Sequence, residues 1–234
     1  MALNIASGDV FKEIVEPYVL TSLQKGIPSL FADLKALYKD EFKRRTIEEI
    51  VEESIRDQQP DTTPPPAEEP STYLWTLYFL AQHHSYLGHH ERALSILESS
   101  MKHTPTLPDL HMLKARILKR CGDFLGAARC ANDARLLDGQ DRFLNTKCGK
   151  YLLRADMIDE ASSIFGLFTK VMRHKRPLLL ELIWVSQKDA ASPTSDLEDM
   201  QSLLYLTESA NAYYRTGKLN LALKRYAAIQ KVDY

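Results

Sequence analysis

The sequence predicts an all-α chain of antiparallel helix pairs, and three observations carry that prediction. Ala93, Ala127 and Ala161 recur 34 residues apart. Each follows a turn residue (Gly88, Gly122 or Asp156) by five positions, and Ala81, Ala115 and Gly149 precede those same turns by seven. Between these points the apolar side chains recur at helical spacing. A small residue at each point lets the two helices of a hairpin approach closely. A 34-residue period is that of tetratricopeptide repeats, which stack into a right-handed superhelix, an α-α solenoid. Such a stack is a surface for holding other molecules, so a scaffold is expected here and not a catalyst.

Taken in chain order, residues 1–56 form an N-terminal helical hairpin region of three helices. Their apolar positions are Val10, Phe11, Ile14 and Val15, then Leu30, Phe31, Leu34, Leu37 and Tyr38, then Ile47, Ile50, Val51 and Ile55. Pro17 is expected to kink the first helix, Gly26 and Pro28 to punctuate the first junction, and Thr46 with Glu48 and Glu49 to open the third helix. Residues 57–72, DQQPDTTPPPAEEPST, hold five prolines and read as an extended linker.

Residues 73–169 carry three repeats: about Leu74 to Pro105, Thr106 to Gly139, and Gln140 to Phe168. A fourth, within residues 201–234, is expected from Leu203 to Lys231, because Ala210, Gly217 and Ala222 repeat the seven-then-five spacing. The interval between Ala161 and Ala222 exceeds one period by 27 residues, so residues 170–200 are an insertion. Its start, VMRHKRPLLLELIWVSQ, is basic and then apolar on all faces. Two readings stand side by side: a docking helix projecting from the solenoid, or translated non-coding sequence from a faulty gene model. The last repeat has no polar capping helix after it, which suits a piece of something longer and leaves an apolar face open.

Composition bounds the function. At 234 residues and 44% hydrophobic, the chain can bury a sizeable core. A net charge of −1 excludes a globally basic nucleic-acid binder, and the acidic and basic residues of the first twenty exclude a secretory signal. No apolar run reaches membrane-spanning length, so a cytoplasmic protein without membrane attachment is expected. Three cysteines, Cys121, Cys130 and Cys148, show no C-x-x-C spacing and are expected as buried reduced thiols. His83, His84, His89 and His90 cluster near the first turn without an acidic or thiolate partner spaced for ligation, so packing and surface roles are expected and no metal site. No G-x-S-x-G, G-x-x-x-x-G-K-[ST] or H-E-x-x-H occurs, and no glycine has Arg or Gln three residues before it, as an acetyl-CoA loop requires. No catalytic residue is assigned.

In stacked repeats the first helix of each hairpin lines the concave groove. With the turn glycine at offset fifteen, the groove offsets bring Trp75, Tyr78, Gln82, Ser85 and Tyr86 from the first repeat. The second brings Asp109, Met112, Arg116, Lys119 and Arg120, and the third Phe143, Thr146, Lys150, Leu153 and Arg154. The groove thus passes from aromatic to basic. Between Lys114 and Arg154 ten Lys or Arg face four Asp, a local excess of +6 in a chain whose total is −1. Lys147, Lys150 and Tyr151 share a helical face. Convergent cations with a phenol suit a polyanion, and a solvated charged face is the competing reading.

The stretches SGDVFKEIVEPYV, KGIPSLFADLKALYKD, LWTLYFLAQHHSYLGHHERALSILESSMKHTPTL and ESANAYYRTGKLNLALKRY resemble the auxiliary subunit of the N-terminal acetyltransferase A complex. HTPTLPDL and DRFLNTKCGKYLLRAD are the most specific matches. The resemblance implies a middle portion of a longer superhelix that wraps the catalytic acetyltransferase subunit. That partner acetylates the α-amino group of nascent chains, and the full complex attaches to the ribosome. The auxiliary subunit does no chemistry itself and has no intrinsic cofactor. The resemblance also implies a basic pocket for inositol hexakisphosphate as a structural ligand, at Lys147, Lys150 and Tyr151 with Arg116, Lys119, Arg120 and Arg129 beside them. The partner groove would use Trp75, Tyr78, Gln82, Tyr86, Met112, Phe143 and Arg154. A generic repeat adaptor for an acidic peptide or co-chaperone client is the alternative; direct nucleic-acid recognition is not expected, since no residue-per-base pattern is present.

Overall fold

The computed structural model describes residues 8–58, 72–167 and 202–232, and within them all regular structure is helical. The helices are α1 (Gly8–Gln24), α2 (Leu30–Leu34) with a 3-10 turn (Lys35–Lys39), α3 (Glu41–Gln58), α4 (Thr72–Tyr86), α5 (His90–His103), α6 (Pro108–Arg120), α7 (Phe124–Leu137), α8 (Arg142–Arg154), α9 (Ile158–Gly166), α10 (Leu203–Arg215) and α11 (Leu219–Val232). The helices reach two residues into the proline-rich stretch from one side and one from the other. The rest of that linker and the 170–200 insertion lie outside the described residues. The chain divides into two compact units, Met1–Ile117 and Leu118–Tyr234, with the division falling inside α6.

The recurring small residues do what their spacing predicts. Ala81, Ala93, Ala115, Ala127, Ala161 and Ala210 are fully inaccessible and Ala222 nearly so. Gly149 leaves no room for a methyl group, because a Cβ there would meet the Phe165 ring at 2.5 Å. The turn residues share one backbone state: Gly88 and Gly122 at φ +88°, Asp156 at +61° and Gly217 at +74°. Left-handed backbone lets the chain reverse within one residue after a helix, which favours glycine for want of a Cβ. Caps start the next helices: Asp123 accepts from the Gly126 amide at 2.7 Å and Asp141 from the Phe143 amide at 2.6 Å.

In the first unit the N-terminal helices and the first helix pair share a core. Phe11, Val15 and Val19 of α1, Leu34, Leu37 and Tyr38, and Ile47, Ile50 and Val51 of α3 pack with Phe79 and Leu80 of α4. α1 is continuous through Pro17. Two local expectations need correction. α3 opens at Asp40, whose carboxylate accepts from the Phe42 amide at 3.0 Å, six residues before the expected Thr46. Cys121 is exposed and Cys130 half-buried, so only Cys148 is the buried thiol expected of all three.

The second unit packs α7 through α11. Tyr205 is wholly buried on α10; its ring stands edge-on to Phe165 at 5.4 Å, and its hydroxyl is 3.1 Å from Ser162 Oγ. Arg215 donates to the Leu153 carbonyl at 2.7 Å and to Asp156 Oδ1 at 3.0 Å. Leu219, Leu223 and Tyr214 stay exposed on the last helix pair.

Candidate functional site

The basic residues expected on one surface fall in different circumstances. Lys147, Lys150, Tyr151 and Arg154 lie on α8, which begins at the Asp141 cap and so has a fixed register. Lys147 Nζ sits 5.2 Å above the ring of Phe143, one turn earlier and itself exposed. Tyr151 is buried. Lys150 Nζ lies 2.7 Å from Glu208 Oε1, and an Arg154 guanidinium nitrogen is 3.6 Å from the same oxygen. Glu208 is largely buried on α10, beyond the insertion, where no spacing rule tied it to α8. The two cations and one carboxylate leave a net charge of +1, and a polyanion arriving at α8 meets a carboxylate already in place.

Arg116 and Arg120 are exposed on α6, Lys119 is half-buried there, and Arg129 is exposed on α7. Arg116 belongs to the first unit and the other six pocket candidates to the second.

The aromatic end is different from the expected open groove. Tyr78 and Gln82 are 6% and 7% exposed, and Trp75 packs between the cores on either side of α4, with its indole against Gly26. Tyr86 is partly exposed but edge-on to Phe31 at 5.8 Å and Tyr38 at 5.6 Å. Tyr78 shares a core with Leu110 and Leu113 of α6, so packing within the repeats buries it, while the N-terminal helices reach Trp75 and Tyr86; Tyr78 and Gln82 are buried and Trp75 is half-buried. Met112 is also buried, in α6. Of the seven groove candidates, Trp75, Tyr86, Phe143 and Arg154 retain accessible surface.

A second cluster, which the sequence reading did not assemble, surrounds the paired histidines of α4. One ligand-type atom each from Glu48, His83 and His84 lies within 4.8 Å of the other two. His83 Nε2 is 3.4 Å from Glu48 Oε1, and His83 Nδ1 is 2.7 Å from the Tyr38 hydroxyl. His84 is 1% exposed and neither of its ring nitrogens has a hydrogen-bond partner. Burial, reinforced by Arg92 and, for His83, Arg44, pushes both histidines down to about 4, so the rings are neutral at pH 7. Burial likewise pushes the Cys148 thiol up to about 11, which leaves it unreactive.

The family model described as N-terminal acetyltransferase A, auxiliary subunit, matches residues 1–233. The chain belongs to that family. It is 36% identical over 232 residues to the N-terminal acetyltransferase A complex auxiliary subunit NAA15 of Arabidopsis thaliana, covering 98% of this chain and 24% of that protein. It is 34% identical to N-alpha-acetyltransferase 16, NatA auxiliary subunit, of Homo sapiens, covering 99% of this chain and 25% of that protein. A solved structure of Naa15/Naa10 bound to HypK-THB superposes with a TM-score of 0.84 at 35% identity, over 98% of this chain and 32% of that one. The chain thus spans about a quarter of the length of these curated relatives, and its fold is the all-α solenoid expected from the repeat period. The relatives are named as auxiliary subunits, in line with the expectation of a non-catalytic part.

Proposed function

We propose that this chain is a non-catalytic scaffold that binds a catalytic acetyltransferase subunit for co-translational N-terminal acetylation. The observation that carries the reading is the likeness over nearly the whole chain to the Naa15 half of a Naa15/Naa10 assembly. Regular helix pairs with buried small residues give a surface whose shape is set by packing and not by loops, which is what positioning another protein's active site requires. The same role places the chain in the cytoplasm, on the ribosome by way of the complete complex.

α8 is the proposed seat for inositol hexakisphosphate. Lys147 and Lys150 would donate charge-assisted hydrogen bonds to its phosphates, with Tyr151 behind them and Lys119, Arg120 and Arg129 of the same unit as further candidates. Glu208 opposes the ligand and tunes its affinity through Lys150 and Arg154. Burial of Tyr78 and Gln82 removes the groove residues on which a peptide clamp of the adaptor kind would draw.

Co-expression with the catalytic subunit and co-purification tests the reading, beside an acidic peptide and a short RNA. Retention of the catalytic subunit alone is expected; retention of the peptide or the RNA instead would overturn it. Inositol hexakisphosphate binding by calorimetry should be lost in Lys150→Glu, and unchanged affinity would remove the pocket from α8.

A further inference from the structure

Buried imidazole nitrogens without partners are costly, because each donor or acceptor gave up water on folding. His84 has two, and His83 Nε2 adds a third that no hydrogen bond satisfies. His83 Nε2 lies 3.4 Å from the half-buried carboxylate of Glu48, and one ligand atom from each of Glu48, His83 and His84 lies within 4.8 Å of the others. Two imidazoles and one carboxylate form a zinc donor set, with the fourth tetrahedral position left to water, and they suit zinc better than calcium or magnesium. We propose that Glu48, His83 and His84 bind one zinc ion, tying α3 to α4.

The surroundings favour this over accidental proximity. With a metal on His83 Nε2, the Nδ1–H donates to the Tyr38 oxygen 2.7 Å away, which fixes ring tautomer and orientation as an outer-shell partner does. The three ligand atoms are close enough to converge by rotamer adjustment on metal–ligand distances near 2.0–2.2 Å. The opposing charges are those of Arg44 and Arg92; Arg92 is bound to Glu52 at 3.2 Å and Arg44 reaches Glu41 at 3.5 Å. His89, whose ring is 6.0 Å from that of His84, is exposed at the following turn.

The test is Co2+ titration of the purified 234-residue chain, followed by visible ligand-field absorption, with Zn2+ as the competing ion. Saturation at one Co2+ per chain with tetrahedral bands, and displacement by stoichiometric Zn2+, are expected. Glu48→Gln and His84→Gln should each abolish the bands, and Tyr38→Phe should weaken binding about 10- to 100-fold. His103→Gln, on an exposed histidine of α5, should leave the titration unchanged. Glu48 is half-buried, so its variant reports on metal binding even if His84→Gln fails to fold. No saturable uptake, or bands that persist in Glu48→Gln, would overturn the proposal and leave the space to a bridging water.

Discussion

Glu208 Oε1 lies 2.7 Å from Lys150 Nζ and so joins α10 to α8 across 58 residues of sequence. The pair answers the like-charge problem of α8: Lys150 and Arg154, one turn apart, would repel without it. An internal carboxylate therefore already holds the cations that composition alone offers to an external anion.

Glu208→Gln keeps the shape of that side chain and removes its charge. Because Lys150 and Arg154 are about one-third exposed, the expected loss of stability is modest, about 1 kcal/mol by urea denaturation. Inositol hexakisphosphate should bind several-fold more tightly to this variant at low salt, since the local charge rises from +1 to +2. Weaker binding in calorimetry would show that Glu208 positions the lysine for the ligand instead of opposing it.

Ala93 is wholly buried among Leu74, Tyr78, Leu97 and Leu113. Ala93→Leu should cost about 1–3 kcal/mol through overpacking, while Leu97→Ala should cost about 2–5 kcal/mol through the cavity it leaves. Denaturation midpoints will order the two variants. An unchanged midpoint for Ala93→Leu would mean that the helices of this pair can separate at little cost.

The turns allow a cleaner backbone test. Gly122 has open space around the position of an added Cβ, so Gly122→Ala isolates the left-handed backbone and should destabilise by about 1 kcal/mol. Asp156 already holds φ +61° and accepts from Arg215. Asp156→Gly relieves the backbone and loses an exposed ion pair, so thermal denaturation should place it within about 1 kcal/mol of the parent.

In metal-free protein held with a chelator, acid should destabilise the fold through His83 and His84. Their folded-state pKa values, about 4, lie below the ordinary 6.5, so the unfolded chain binds more protons between those limits. Stability is full above pH 6.5 and falls as pH drops toward 4, with a slope of up to about 1.4 kcal/mol per pH unit for each ring. His84→Gln should flatten the curve by one ring's share; superimposable slopes would show that its ring stays solvated.

Repeat spacing made the helix pairs, their turns and their buried alanines legible, because close helix approach and chain reversal are local demands that residue size and backbone freedom record directly. The N-terminal contacts were not legible. Offsets within a repeat assign Tyr78 and Gln82 to an open face, yet both are buried, Tyr78 in a core shared with Leu110 and Leu113 of α6; Phe79 and His83 of the same helix meet Phe31 and Tyr38, which lie before the proline-rich stretch. Glu48 meets His83 and Glu208 meets Lys150 for the same reason: each pair is joined by helix packing at long separation, which a local pattern does not encode. The Asp40 cap was within reach, since an aspartate directly before a helix is a start signal, and Thr46 with its two glutamates drew the boundary inward.

The buried alanines have a consequence for drift. Where a methyl group fills its space completely, neither a larger nor a polar side chain is free to replace it, whereas exposed neighbours such as Arg129 and Asp133 carry no such restriction. A library covering every substitution, sorted by abundance in cells, should therefore show intolerance that pulses along the chain from hairpin to hairpin.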